Sequence, residues 1–60
     1  MKDFITLTNK AQGMKQLINI NAIESLTNLN DGTLIHFVSG SKVTVTQNID
    51  YIENLILNNK

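Results

Sequence analysis

The stretch GTLIHFVSGSKVTVTQ, from Gly32 to Gln47, carries the pattern that decides the fold. Val43 and Val45 alternate with threonines, which is typical of a strand that buries one of its faces. Ile35 and Phe37 alternate with other residues in the same way on the preceding segment. The stretch therefore predicts two adjacent strands whose apolar residues should face one core.

The loop between these strands decides which side chains share a face, because a shift of one residue in register reverses every side chain. A three-residue loop, Val38-Ser39-Gly40, that ends in a left-handed glycine places Ile35 and Phe37 on the face of the valines. A two-residue loop at Gly40-Ser41 would place them on the face of the threonines instead. We expect the three-residue loop because it gives both strands a common apolar face.

His36 is the chain's only histidine, and the odd loop places it on the outer face beside Lys42 or Thr44. A catalytic or metal-binding histidine needs a second base, a nucleophile or further ligands close to it. None lies near His36 in the sequence. We interpret it as a strand residue at the surface or half-covered.

Alternation and turn signals before this hairpin predict three more strands. The third segment, Ile23 to Leu29, has apolar residues at every third position, which also suits a short helix. Thr27 and the turn Asn30-Asp31-Gly32 that follows favour a strand. We predict strands at about residues 3–8, 14–20, 23–30, 33–38 and 41–47.

The end of the chain changes from strand to helix periodicity, and we predict a helix at about residues 48–58. Asn48 is one candidate N-cap, and Asp50 with Glu53 forms a competing capping box one step later. The expected core residues are Ile5, Leu7, Ile18, Ile20, Ile23, Leu26, Ile35, Phe37, Val43, Val45, Ile49, Ile52 and Ile56.

These elements define a β-rich α+β fold. We expect five short antiparallel strands, arranged as a meander or a small partly open barrel, with the C-terminal helix closing one side. Residues 1–60 should form a single small domain, because no linker, repeat or low-complexity segment interrupts the chain.

Composition excludes several classes of site. The chain has no cysteine and one histidine, which argues against disulfides, thiolate metal sites and zinc sites built from several imidazoles. No apolar run approaches the length of a leader peptide or a membrane span. We expect a cytoplasmic protein with no metal, no cofactor and no membrane insertion.

Nothing in the sequence indicates catalysis. The acidic residues are scattered, the serines lack a nucleophile elbow, and the glycines form no phosphate loop. A domain of five strands should also have little room for a pocket of about 300 Å³, the lower end for ligand sites. We predict that the protein is not an enzyme and assign no catalytic residue.

Three lysines could form a weak anion-binding patch at one end of the barrel, but dispersed, solvated lysines are the favoured interpretation. The net charge is zero and arginine is absent, whereas nucleic-acid binders usually carry a basic surplus. A weak nucleic-acid-binding regulator with a small-barrel fold is therefore the alternative hypothesis. The three lysines are Lys10, Lys15 and Lys42.

The order of motifs resembles a known family. FITLT at the start, an Ile18-Asn19 pair ahead of Ile23 and Leu26, then DGTLI, SG and VTVTQNIDYI follow one another at the family's distances. The pattern is similar to that of the small flagellar FlbD/swarming-motility family and of uncharacterised short bacterial and phage proteins. The likeness spans about residues 4–56 and rests on strands, turns and a cap.

The chain departs from the family pattern at three positions. The family's glutamate before the helix corresponds to Gln47, its serine cap to Asn48 and its hairpin asparagine to Ser39. The resemblance implies a bacterial or phage origin and a link to motility, and it implies no catalytic residue.

Chain length predicts self-association. A chain of 60 residues buries only about 60% of the surface that its unfolded form exposes, so small domains often need a partner copy. We therefore expect a non-enzymatic interaction module of FlbD-like type that forms a homo-oligomer, most simply a dimer. Apolar residues that the predicted core leaves out suggest the interface, and its candidate residues are Leu34, His36, Val38 and Leu57.

Overall fold

A computed structural model describes residues 3–58, so the outermost residues of the expected 1–60 domain lie outside the described part. Five antiparallel strands form one open sheet, and a C-terminal helix packs on it. The predicted β-rich α+β fold is thereby confirmed. The elements are β1 (Phe4–Asn9), β2 (Met14–Asn19), β3 (Ile23–Leu29), β4 (Gly32–Phe37), β5 (Lys42–Val45) and α1 (Ile49–Asn58), with a 3₁₀ turn at Ile20–Ala22 between β2 and β3.

The strand order in the sheet is β2-β1-β5-β4-β3. Each strand is paired with its neighbour in the chain except at one place: β2 and β3 follow each other in sequence but lie at opposite edges. The sheet is completed instead between β1 and β5, where Asn9 is opposite Val45. The sheet is therefore open, and its two edges are β2 and β3.

The hairpin of β4 and β5 has the predicted odd loop. Ile35 is opposite Val43, and His36 is opposite Lys42. The Phe37 N–H donates to the Ser41 carbonyl at 2.9 Å, so residues 38–40 form the three-residue loop, and Gly40 has a φ of +98°. The predicted register is confirmed, and the apolar residues of both strands face one side.

The sheet has an inner face and an outer face. The inner face carries Leu7, Ile35 and Val45 and is covered by α1 through Ile52, and all four side chains are fully buried. The outer face is the opposite side of the same sheet. Alternation along β4 places His36 on the outer face.

The core follows the prediction with three corrections, of which the first is that Ile49, expected in the core, is only half-buried and lies outside the packed cluster. Thr33 was not expected in the core, yet it is fully buried. Its hydroxyl donates to the main-chain carbonyl of Gln47 at 2.9 Å, so burial leaves no polar group of its side chain without a partner. Leu55 was assigned outside the core, but it packs against the buried cluster. The other buried apolar residues were all predicted: Ile5, Leu7, Ile18, Ile35, Val45 and Ile52.

The predicted fifth strand, residues 41–47, is too long, because the ladder of β5 ends at Val45. The Thr46 N–H still donates to the Thr8 carbonyl at 3.0 Å. One residue later the side chain of Gln47 replaces the backbone: its Oε1 accepts from the Thr8 N–H at 2.9 Å, and its Nε2 donates to the Thr8 hydroxyl at 3.1 Å. The main chain is thus free to turn into the helix while β1 keeps its hydrogen bonds.

Asn48 is the N-cap of α1, which decides between the two candidate helix starts. Its Oδ1 accepts from the Tyr51 N–H at 2.8 Å, and its carbonyl accepts the first helical hydrogen bond from Ile52 at 3.2 Å. An N-cap side chain that binds the third helical N–H satisfies a donor that has no partner inside the helix. The competing start at Asp50 is wrong, and the helix begins at Ile49.

The bend between β2 and β3 is held by Asn19. Its side chain accepts from the Asn21 N–H at 3.0 Å, and the Ile20 N–H donates to the Asp3 carbonyl at 2.7 Å. On the far side of the bend, the Val38 N–H donates to the Ala22 carbonyl at 2.8 Å. The bend carries the chain from one edge of the sheet to the other.

Gly32 is required where β4 begins. Its φ is +156°, and a Cβ atom built on it would lie 2.1 Å from the Val45 carbonyl oxygen. Any larger residue would push β4 away from β5 at the centre of the sheet. Gly40 has open space around it, so only its backbone conformation favours glycine there.

Replacing Gln47 by alanine should lower the free energy of unfolding by about 1–2 kcal/mol, because the Thr8 N–H and hydroxyl lose their partners at a half-buried site. Gln47→Glu is the matched control, since a carboxylate can accept from both Thr8 groups once the hydroxyl rotates to donate. Urea denaturation of the two variants measures the difference. Equal losses in both would show that the two bonds to Thr8 do not stabilise the fold.

Candidate functional site

A groove lies between the edge strand β3 and helix α1. It has a volume of about 410 Å³ and opens to solvent. Its walls are apolar side chains of both elements, and the groove follows the side of β3 that has no neighbouring strand. The apolar lining residues are Ile23, Leu26, Ile49, Ile56 and Leu57.

The expectation that so small a domain has little room for a pocket is therefore wrong. The space arises because β3 and β2 do not pair, so the helix has only the edge of β3 beside it along this side. Strand β3 contributes to the wall with a bulge between Ile23 and Ser25, where Glu24 is the extra residue. The bulge ends the regular pairing with β4 beside the groove.

Two carboxylates line the groove, a juxtaposition that their spacing in the sequence did not predict. Glu24 comes from the β3 bulge and Glu53 from the middle of α1. Both residues are exposed, so water surrounds their carboxylates. Within residues 3–58 neither forms an ion pair. The groove therefore combines an apolar floor with negative charge at its mouth.

The other edge of the sheet, β2, has the opposite character. Met14 is 63% exposed and Leu17 is 53% exposed. Between them Lys15 is exposed and has no ion pair among the described residues. Register places Leu17 opposite Thr6 and Lys15 opposite Thr8, on the outer face, whereas Met14 lies on the inner side at the strand end. Leu17 was not among the candidate residues predicted from the sequence.

His36 lies in the middle of the outer face, half-buried. On one side Ser25 is its register partner, with its Oγ 3.4 Å from His36 Nδ1, and on the other side it is opposite Lys42. A contact of 3.4 Å is at the long limit for a hydrogen bond. No carboxylate among residues 3–58 forms a hydrogen bond with His36.

The four candidate interface residues do not form one patch. Leu34 and His36 share the outer face of β4, and Val38 stands in the hairpin loop, 67% exposed. Leu34 was expected in water but is half-buried, because Thr27 and Thr44 flank it on the neighbouring strands. Leu57 is on the helix and lines the groove, beside the inner face.

The three lysines are dispersed over the sheet. Lys10 is bound to β5 through its N–H, which donates to the Thr44 carbonyl at 2.9 Å, and its ammonium forms an ion pair with Asp31. Lys15 lies on β2 and Lys42 on β5, with β1 between those strands. The negative charge of Asp31 offsets the positive charge of Lys10, so the candidate anion patch has less net positive charge. This weakens the nucleic-acid hypothesis.

Among the residues that the structure describes, no group of three or more histidine, aspartate or glutamate side chains is placed to hold a metal ion. Nor does any helix in residues 3–58 have the length and apolar character needed to cross a membrane.

Comparison with known proteins returns no relative: no family model, no curated protein and no solved structure matches the chain.

The ion pair between Lys10 and Asp31 predicts a pH effect. The hydrogen bond from Lys10, and then its positive charge, lower the pKa of Asp31 below its ordinary value. A lowered pKa in the folded state contributes stability above the unfolded-state pKa, and this contribution is lost as the pH falls through the folded-state pKa. Lys10→Gln should therefore raise the Asp31 pKa towards the ordinary aspartate value of about 3.9.

Carboxyl chemical shifts followed by NMR through an acid titration measure that pKa directly. Lys15→Gln is the matched control, because it removes an exposed lysine that makes no contact with Asp31. An Asp31 pKa that is the same in Lys10→Gln as in the original protein would contradict the ion pair.

Proposed function

We propose that this protein is a non-enzymatic interaction module that acts by self-association. The observation that carries the proposal is the pair of unpaired edge strands, each accompanied by apolar side chains in water. An edge strand presents free N–H and C=O groups to any chain that can pair with it. Monomeric proteins usually protect such edges, and this one leaves apolar residues beside both.

Energetics support the same proposal. Only six apolar residues of the described chain are buried, whereas five large ones are exposed to at least 49%. A core of that size supplies a small margin of stability, and covering exposed apolar surface with a second copy would add to it. The exposed residues are Met14, Leu17, Val38, Tyr51 and Leu57.

Further parts of the proposal follow from the sequence. The module works in the cytoplasm of a bacterium or in a phage-infected cell and needs no cofactor. The resemblance to FlbD-like proteins adds a link to motility, which interruption of the gene in a motile host would test. The groove offers no catalytic role to its two exposed glutamates, because acid–base catalysis requires a reacting group held beside them in a sheltered site.

Sedimentation equilibrium tests self-association at micromolar concentration and above. We expect a mass larger than one chain, together with a thermal midpoint that rises with protein concentration, because association stabilises only the folded state. A mass of one chain with a midpoint independent of concentration would contradict the proposal.

A further inference from the structure

We propose that copies of this chain assemble head to tail, with strand β2 of one copy added to the edge of β3 in the next copy, beside the groove. This inference rests on the proposed self-association and specifies its geometry. It makes the second copy the occupant of the groove, and it assigns different roles to the two edges of the same sheet.

The first argument is that both edges are open and similar in length. β2 has six residues and β3 has seven, and within residues 3–58 neither has a strand on its far side. An added strand on β3 would gain main-chain hydrogen bonds along that length. The same chain thus carries both a strand that can be added and an edge that can receive it.

The second argument is the apolar fit. Alternate side chains of an added strand point to opposite sides. Met14 of the second copy would enter the groove, while Leu17 would cover the outer side of β3. Both side chains are more than half exposed in the single chain, and Ile18 stays in the core of its own copy. Pairing therefore covers apolar surface at no cost to the existing core.

The charges beside the two edge strands favour the pairing of β2 with β3 over a symmetric pairing of two identical strands. Lys15 stands on β2, on the same side as Leu17, so its counterpart is Glu24 on the β3 edge and not Glu53 on the helix side of the groove. A twofold pairing of β3 with β3, or of β2 with β2, offers no opposite charge, because each edge then meets a second copy that carries the same sign. Only the pairing of β2 with β3 sets opposite charges against each other.

Head-to-tail assembly has a consequence that a symmetric dimer lacks. Every copy would contact one neighbour through β2 and a different neighbour through β3. The assembly would therefore close into a ring or grow into a filament. The expected dimer would then be only the first step of association.

Charge reversal tests the pairing. In Lys15→Glu a glutamate of β2 meets Glu24, and in Glu24→Lys a lysine of β3 meets Lys15, so each variant alone sets like charges against each other and should associate at least about tenfold more weakly than the original protein. An equimolar mixture should recover association, because Glu at position 15 of one variant meets Lys at position 24 of the other. Sedimentation velocity of each variant and of the mixture measures these outcomes.

Lys42→Glu is the matched control for Lys15→Glu. It makes the same change in net charge on an exposed lysine of β5, which is not an edge strand, and should leave association unchanged. Circular-dichroism melts of all three variants show whether each is folded. Folded Lys15→Glu that associates as tightly as the original protein would overturn the head-to-tail pairing, as would a mixture that does not recover.

The outcomes separate this inference from the proposed function. Association that Lys42→Glu abolishes and Lys15→Glu does not would assign the interface to the outer face around His36, so self-association would stand and the edge pairing would fall. An original protein that is monomeric at every concentration would overturn both proposals. Binding of a lysine-containing, apolar peptide to that monomer would then make the groove a receptor for a different chain.

Discussion

The side chain of Gln47 takes the place of a strand residue where β5 ends, and the rest of the architecture depends on this substitution. The side-chain amide of Gln47 satisfies the Thr8 N–H and hydroxyl, while the main-chain carbonyl of Gln47 accepts from buried Thr33. Three strands are thereby joined at one residue, and the main chain is released to begin the helix at the next one, under the cap of Asn48. Without this junction β1 would lose partners where it meets β5, the shortest strand pairing of the sheet.

Strand β5 ends at Val45, and the helix that follows packs Ile52 against the inner face. Strands β2 and β3 remain at opposite edges of the open sheet. The chain connects those edges by a single 3₁₀ turn at Ile20–Ala22. An apolar groove then remains between β3 and α1. The candidate interaction surfaces are thus products of how the fold ends and not additions to it.

Much of the fold could be predicted from local pattern, because alternation, loop parity and capping are properties of neighbouring residues. The hairpin register at Ile35 is an example, and local pattern narrowed the helix cap to two candidates, of which Asn48 is the one observed. The burial of Thr33 could not be predicted, since it depends on a carbonyl 14 residues away. The meeting of Glu24 with Glu53 depends on where the helix crosses the edge strand, which no spacing encodes. Leu17, which is opposite Thr6 on the outer face, could have been recognised as an exposed residue only once β2 was known to be an edge strand.

The central claim is that the two edge strands are the interacting surfaces, and amide hydrogen exchange measured by NMR at low and high protein concentration tests it most directly. About half of the amides on an edge strand point away from its neighbour and should exchange fast in a single copy. We expect amides of β2 and β3 to become more protected as concentration rises, while those of β5 in the interior of the sheet stay unchanged. The claim would be contradicted if the protection of β2 and β3 amides did not change with concentration. It would also be contradicted if only amides around the loop at residues 38–40 became more protected.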